Sequence, residues 1–370
     1  MQRMIQKLSQ DYLFLFTTAL VLVAACFGVL DWAAISWPTV ISLLSLLGMV
    51  SLYQSLGLID ALADFFIKKA KTTRSLILAI FLLTFFSSML VTNDVAILTF
   101  LPLTFALVKK VTLPTIKVTV FITIYANLGS AVSPIGNPQN IFLLAHYQRT
   151  FLSMLPPASL MLFLGLVSMP IFLLLMPNEN IQPIKQQAWI KPMPKLEKFL
   201  LGTGTVIVLG DLIIQTNLLS ALALVLILIF FYDRRVLKEV DYGVVLSIMN
   251  FFLLVSGWIT IPAVHHLLQH LGSQNLSLFL TGLLTSQLIS NVPAAALLAP
   301  MTEHFTALYL AVSIGGFGTL IASLANLLAY RQVKAAATSK NQFSFIKTFT
   351  ITNFLFLLVG AGLASLFLLF

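Results

Sequence analysis

The stretch SSMLVTNDVAILTFLPLT at residues 87–104 decides the fold of this chain, because its polar centre, Thr92-Asn93-Asp94, interrupts an otherwise apolar run. The stretch TSQLISNVPAAALLAPMT at residues 285–302 carries Ser290-Asn291-Val292 at the matching place. A shift of 198 residues superposes Asn93 on Asn291 and aligns the residues around them. An interrupted apolar segment that occurs twice indicates an internal repeat whose polar turns lie within a membrane.

The composition of the whole chain supports a membrane protein. Of its 370 residues, 59% are apolar and only 9% are charged, and its mean hydropathy is +1.00. Soluble domains carry about 25% charged residues. The shortage of charge excludes a soluble fold, a disordered chain and a nucleic-acid-binding protein, and it makes membrane lipids the expected surroundings.

The apolar runs fall into three kinds. Seven are long enough to cross the hydrocarbon core of a bilayer, which is about 30 Å thick; they lie at 13–30, 39–59, 155–176, 199–215, 217–232, 243–260 and 347–369. The segments 75–108 and 276–301 turn at the two polar centres and are predicted to be re-entrant hairpins. The stretches 118–147 and 305–332 contain Pro or Gly breaks and are predicted to be broken helices. The predicted fold class is an all-α polytopic membrane protein with about nine spans, two re-entrant hairpins and two broken helices.

The basic residues predict how these segments are oriented, since positively charged loops stay on the cytoplasmic side. All of the 21 Lys and Arg residues except Arg149 share one side if hairpin 75–108 enters from the cytoplasm and hairpin 276–301 enters from outside. This arrangement predicts a multi-pass protein of the cytoplasmic membrane with a cytoplasmic N-terminus. In the alternative, every hairpin arm crosses fully, which would export the cluster of Lys109 or that of Arg74.

Opposite entry of the two hairpins makes the repeats inverted. A second shift, of 186 residues, superposes Ser133–Asn140 on Thr319–Asn326 and so relates the two broken helices. The predicted units are a first repeat at 1–176, a cytoplasmic linker and connector span at 177–216, and a second repeat at 217–370.

The breaks supply the chemistry of a solute site. Helix starts present free N–H groups and a positive dipole end, which favour an anion, whereas unwound carbonyls and amide oxygens suit a hard cation such as Na⁺. The candidate substrate-binding residues are Thr92, Asn93, Asn137, Asn140, Ser290, Asn291, Ser323 and Asn326. The candidate Na⁺ ligands are Asn93, Asp94, Ser133, Gly136, Asn291 and Thr319.

Each of these residues also has a structural interpretation. Asn93 and Asn291 could be hydrogen-bonding contacts between helices. Asp94 could cap a helix that begins at Val95, or it could bind a cation or carry a proton. The segment 136–140 could be a tight turn, which is compatible with ligand binding.

The residues favour two functions and argue against two others. The first is a secondary transporter that couples Na⁺ or H⁺ to the movement of a small anion, with the paired breaks as its site. The second is Na⁺/H⁺ exchange with Asp94 as the titrating group. An intramembrane enzyme would need a nucleophile, paired acids or a metal set, and the chain has neither G-x-S-x-G nor H-E-x-x-H, so we expect no catalysis. A passive pore would not need paired breaks.

Four motifs in order carry a resemblance to a known family: SSMLVTNDVAILTFLPLT, ANLGSAVSPIGNPQNIFL, SQLISNVPAAALLAP and GGFGTLIASLANLLA. The chain resembles the ion transporter superfamily, which includes arsenite permeases, citrate and divalent-anion/sodium symporters and certain sodium/proton antiporters. It is most similar to the small permeases called anion transporters.

The resemblance implies paired sodium and substrate sites at the hairpin tips and broken helices, elevator-like alternating access and a homodimer. It also adds arsenite efflux as an alternative function. The dicarboxylate symporters carry Ser-Asn-Thr at both tips. This chain keeps both Asn residues, but Asp94 adds a carboxylate to the first tip and Val292 removes a hydroxyl from the second.

Overall fold

The computed structural model describes most of the chain, namely residues 8–9, 11–26, 28–58, 70–108, 111–181, 193–214, 217–240, 242–259, 266, 270–336 and 339–369. Several members of the predicted basic clusters fall outside these residues: Lys68, Lys69, Lys109, Lys110, Lys185 and Lys191.

The described residues form an all-helical fold. The α-helices are α1 (Tyr12–Cys26), α2 (Trp37–Ser55), α3 (Thr73–Ser88), α4 (Asn93–Val108), α5 (Thr115–Val132), α6 (Pro138–His146), α7 (Phe151–Leu174), α8 (Lys195–Ile214), α9 (Leu218–Tyr232), α10 (Tyr242–Ile259), α11 (Asn275–Ile289), α12 (Asn291–Leu298), α13 (Phe305–Ile314), α14 (Leu324–Ala336) and α15 (Ser339–Leu369). Short 3₁₀ turns lie at Trp32–Ala34, Arg234–Lys238 and Ala299–Met301.

The helices end where the polar centres predict breaks. Helices α3 and α4 are separated by residues 89–92, and α11 and α12 by Ser290 alone. The two stretches predicted to be broken helices are divided as well, into α5 and α6 and into α13 and α14. One detail of the prediction is wrong: α4 begins at Asn93, so Asp94 lies in the first turn of that helix and does not precede it.

The helix pairs turn on strained backbone. Thr92 has a φ of 96° and Ser290 a φ of 76°, and the only other non-glycine residue with a positive φ in the described part of the chain is Gln148. Residues with a Cβ rarely adopt such angles, because the Cβ crowds the neighbouring carbonyl. Both breaks therefore contain a non-glycine residue with positive φ, at positions that the 198-residue shift superposes.

Helix length differs from what the span count predicts. Among the described residues, three helical segments are both long and apolar enough to cross a membrane, namely Thr115–Val132, Phe151–Leu174 and Gln342–Leu369. Others are shorter: α1 and α9 have 15 residues each, which corresponds to about 22 Å at 1.5 Å per residue. The number of spans therefore stays a prediction.

The helices pack as two groups. Helices α1, α2, α8, α9 and α10 contact one another and form the first group; α3–α7 and α11–α15 form the second. The main contacts between the groups are those of α10 with α12 and of α2 with α6. The core of the second group contains aliphatic residues and fully buried aromatic side chains, such as Phe85, Tyr125 and Tyr309.

The outer surface is apolar, which is typical of a protein embedded in lipid. Large side chains stand free on helices of both groups; Leu152 is 73% exposed, Phe231 78% and Leu358 69%. Soluble monomers rarely expose contiguous apolar surface of this kind. The protein is therefore a polytopic helical membrane protein.

Contacts between distant segments join residues that the basic pattern assigns to the same side. Arg331 lies 3.9 Å from the carboxylate of Asp11, and Thr72 pairs with Asn180 through an isolated β-bridge. At the other side, the hydroxyl of Tyr147 donates to the carbonyl of Thr302 (3.0 Å). Which side faces the cytoplasm stays a prediction.

Candidate functional site

A cavity of about 420 Å³, including its open mouth, lies between the two helix groups. Both polar centres line it, together with the second halves of both divided helices and one face of α10. The lining residues are Asn93, Asp94, Asn137, Pro138, Gln139, Ser247, Ile248, Phe251, Ser290, Asn291, Val292, Pro293, Ser323 and Leu324.

Four helices begin at this cavity. Their first residues, Asn93, Pro138, Asn291 and Leu324, all line it. Each helix start carries a partial positive charge of about +0.5 from unpaired N–H groups and aligned peptide dipoles. Among the described lining residues Asp94 is the one ionisable side chain, and the four helix starts are the sources of positive charge. The cavity is suited to an anion, with a single carboxylate at its edge.

Each helix turn is tied to the divided helix of its own half of the sequence. The backbone N–H of Asn93 donates to the carbonyl of Gly136 (3.3 Å), and that of Asn291 donates to the carbonyl of Ala322 (3.0 Å). The side-chain oxygen of each Asn accepts from the next backbone N–H, 2.9 Å away in both cases. The two turns thus have the same hydrogen-bond pattern.

Asn140 and Asn326 hold the breaks of the divided helices and do not line the cavity. Both are fully buried. The amide of Asn140 donates to the carbonyls of Ser130 (3.2 Å) and Ser133 (2.8 Å). Asn326 donates to the carbonyls of Gly316 (2.9 Å) and Thr319 (3.2 Å). These bonds occupy carbonyls that the break would leave without helical partners.

The remaining predicted site residues lie behind the cavity wall. The Thr92 hydroxyl oxygen is 3.5 Å from the Val95 N–H, and the hydroxyl oxygen of Ser133 accepts from Ile135 N–H (3.3 Å). The Thr319 hydroxyl donates to the carbonyl of Gln287 (3.2 Å). With Gly136, which accepts from Asn93, they support the wall. Of the predicted Na⁺ ligands, Asn93, Asp94 and Asn291 reach the cavity.

Asn127 on α5 connects the two halves of the site, and the sequence did not single it out. Its side-chain oxygen accepts from the amide of Asn93 (2.9 Å) and from the hydroxyl of Ser323 (3.1 Å). Its amide donates to the side-chain oxygen of Asn326 (2.9 Å). The available signal was an amide within an apolar helix, because such residues usually bond to neighbouring helices.

Three further polar side chains line the cavity and are buried, with exposures of 1–2%. Within the described part of the chain, no hydrogen bond reaches the Asn137 Oδ1, either amide atom of Gln139 or the Ser247 hydroxyl. Gln139 and Ser247 were also missed from sequence. Gln139 lies inside the motif SPIGNPQN, which offered a signal, whereas nothing local distinguishes Ser247 from other serines in apolar helices.

Comparison with known proteins identifies the family of the chain. Residues 4–307 match the family described as citrate transporter. The chain is 32% identical over 308 residues to inner membrane protein YbiR of Escherichia coli, covering 81% of this chain and 80% of that protein. It is 30% identical over 302 residues to a Methanocaldococcus jannaschii protein named uncharacterized transporter MJ0456, covering 80% and 81%. The chain therefore belongs to the citrate transporter family, and it is a membrane transporter and not an enzyme.

Proposed function

We propose that the protein is a secondary active transporter that moves a small anion across the cytoplasmic membrane, coupled to Na⁺ or H⁺, by elevator-like alternating access. The observation that carries this proposal is the convergence of four helix starts on one cavity between two helix groups.

The helix starts support an anion as the solute. Together they place a positive potential at the cavity without a Lys, Arg or His side chain among the described lining residues. Backbone N–H groups at helix starts bind carboxylate and phosphate groups through the same potential. A cationic solute would meet an unfavourable potential everywhere except beside Asp94.

Asp94 supports a coupling cation. Carboxylates within membrane proteins mark ion and proton pathways, and Asp94 is 8% exposed and lines the cavity. Asn93 and Asn291 lie beside the same cavity; each side-chain oxygen accepts one hydrogen bond and keeps a second lone pair. These oxygens and the Asp94 carboxylate are the ligand type that Na⁺ requires.

The repeated hydrogen bonds support inverted repeats. Asn93 with Gly136 and Asn291 with Ala322 make equivalent bonds, and Asn140 and Asn326 make equivalent bonds at their own breaks. Helix α4 of the first half packs on α14 of the second, and α12 of the second half packs on α6 of the first. In this proposal the second helix group carries the site past the first, as the family resemblance implies, in a homodimer.

The test is anion uptake into proteoliposomes under imposed Na⁺ and H⁺ gradients. Citrate is the first probe because of the family match, followed by other small carboxylates and oxyanions. We expect saturable uptake that rises with one cation gradient and supports counterflow. Uptake that ignores both gradients would reject coupling, and uptake that neither saturates nor supports counterflow would indicate a channel.

A second candidate is Na⁺/H⁺ exchange, which the position of Asp94 as the one ionisable lining side chain favours. Asp94→Asn keeps the shape and removes the charge, so exchange should be abolished while an anion carrier could retain part of its uptake. Asp211→Asn is the matched control, since Asp211 accepts from the Ser220 hydroxyl near the end of α8, away from the cavity. Full exchange by Asp94→Asn would exclude this candidate.

A further inference from the structure

Buried polar atoms that no protein group satisfies indicate a bound solute where their residues also line a cavity. Gln139 is 1% exposed and Ser247 2%. The side-chain oxygen and nitrogen of Gln139 have no hydrogen-bond partner among the described residues, and neither does the Ser247 hydroxyl. Leaving such a group unpaired costs about 1–3 kcal/mol. Both residues line the cavity, so a bound molecule is the partner that offsets this cost.

The helix starts do not explain these atoms, because helix starts present only hydrogen-bond donors. An anion's oxygens match those donors. The Gln139 Oε1 is an acceptor, and the amide of an Asn or Gln side chain offers both functions. A solute that satisfies the oxygen of Gln139 must itself donate a hydrogen.

Asn137 adds a second acceptor beside the first. The hydroxyl of Ser130 donates to the carbonyl of Asn127 (3.0 Å), so its oxygen accepts from the Asn137 amide (2.7 Å). This orientation directs the amide N–H₂ group away from the solute. The Asn137 Oδ1 is left without a protein partner in the described structure and belongs to a residue that lines the cavity.

We propose that Gln139 and Ser247 bind the transported solute and, with Asn137, select an anion that carries an O–H donor beside its charged oxygens. This inference rests on the proposed anion transport and adds its specificity. Gln139 lies on α6 in the second helix group and Ser247 on α10 in the first. The bound solute therefore contacts both groups at once.

The test compares matched anions that differ by one hydroxyl: citrate with tricarballylate, malate with succinate, and lactate with propionate. Affinity is measured by titration of the purified full chain, and uptake in proteoliposomes. Sites that hydrogen-bond a solute hydroxyl discriminate strongly against the analogue without it. We expect wild-type protein to prefer the hydroxylated member of at least one pair by tenfold or more.

Gln139→Met and Ser247→Ala should reduce this preference to about threefold or less, mainly by weakening the hydroxylated anion. Gln332→Met and Ser42→Ala are matched controls, because Gln332 and Ser42 also have buried oxygens without a partner in the described structure but do not line the cavity. The controls should keep the full preference.

Stability gives an independent readout. If Gln139 serves the solute, Gln139→Met should unfold at the wild-type temperature or above it without ligand, because the change removes unpaired polar atoms. A lower unfolding temperature with unchanged preference would assign Gln139 to structure and overturn the proposal. A wild-type protein that shows no hydroxyl preference overturns it too, and any gradient-coupled anion uptake then leaves the proposed function standing.

Discussion

Asn127 connects the two halves of the site through its side-chain hydrogen bonds, beside a direct bond from the Asn93 amide to the Ser323 hydroxyl (3.4 Å). It bonds to Asn93 at the first turn and to Ser323 and Asn326 at the second divided helix. A side chain with three buried partners fixes their relative positions, since each bond restricts both members.

Asn127→Leu should lower the free energy of unfolding by about 2 kcal/mol, because side-chain hydrogen bonds between membrane helices average about 0.6 kcal/mol each. It should reduce anion uptake by more than that loss explains, since Asn93 and Ser323 both line the cavity. Unfolding in detergent and proteoliposome flux are the measurements. Asn353→Leu is the control, because among the described residues its amide bonds only to the carbonyl of Phe349 on its own helix. Wild-type flux in Asn127→Leu would contradict this role.

The strained residues Thr92 and Ser290 give a second prediction. Positive φ at a residue with a Cβ costs about 1–3 kcal/mol, and glycine removes that cost. Ser290→Gly should therefore unfold at a higher temperature than Ser290→Ala, and Thr92→Gly at a higher temperature than Thr92→Ala. Each comparison removes the same hydroxyl, so the difference isolates the Cβ. Gln148, with φ 49° outside the cavity, should show a smaller difference. An alanine variant more stable than its glycine counterpart would disprove the strain.

At the scale of the helix, two glycines allow the first arm of each helix pair to contact its divided helix. A Cβ on Gly129 would lie 2.0 Å from the Phe85 carbonyl oxygen and 2.3 Å from the Ser88 hydroxyl oxygen. A Cβ on Gly315 would lie 2.6 Å from the Ser286 hydroxyl oxygen. The shifts of 186 and 198 residues relate the two glycines and the two serines respectively, so the close approach is repeated.

Gly129→Ala should destabilise the protein by about 1–3 kcal/mol, the usual cost of overpacking. Gly315→Ala should be destabilising as well, because the added carbon would lie 2.6 Å from the backbone carbonyl oxygen of Ala311. Gly202→Ala and Gly210→Ala on α8 have no atom within 4 Å of the added carbon and should be neutral or slightly stabilising. Thermal unfolding of the four variants measures the order. Equal effects in all four would show that the contact does not need glycine.

The sequence predicted the helix breaks but not every residue that forms the site. Polar residues within apolar runs located Asn93 and Asn291 because a bilayer tolerates such breaks only for a reason. Ser247 could not be found because a single serine in an apolar helix has no local signature. Asn127 offered a signal as an amide in an apolar helix, but its partners depend on which helix face meets them. The span count depends on helix lengths, and the hydropathy pattern sets those only within a few residues.

At the scale of the molecule, the two helix groups are in contact through few helices, and relative motion would change those contacts. Phe142 on α6 and Phe252 on α10 lie across this boundary with ring centroids 5.2 Å apart. Phe121 and Phe172 lie within the second group, 4.1 Å apart. Alternating access would separate the Phe142–Phe252 pair and leave the Phe121–Phe172 pair in contact.

Cross-linking tests that difference. In a Cys26→Ser background, a short thiol cross-linker between Phe142→Cys and Phe252→Cys should stop anion uptake. When the linker is one that a reductant cleaves, adding the reductant should restore uptake. The Phe121→Cys and Phe172→Cys pair should transport after cross-linking. Undiminished uptake by the cross-linked 142/252 pair would show that the boundary does not move during transport.

The four helix starts at the cavity have a consequence for how related chains diverge. Main-chain dipoles do not depend on the side chains, so exchanging one uncharged wall residue for another leaves the positive potential of the helix starts in place. Discrimination among cargoes rests instead on a few replaceable groups on the wall. Descendants of such a carrier can thus drift from one cargo to another while inheriting the preference for anions intact.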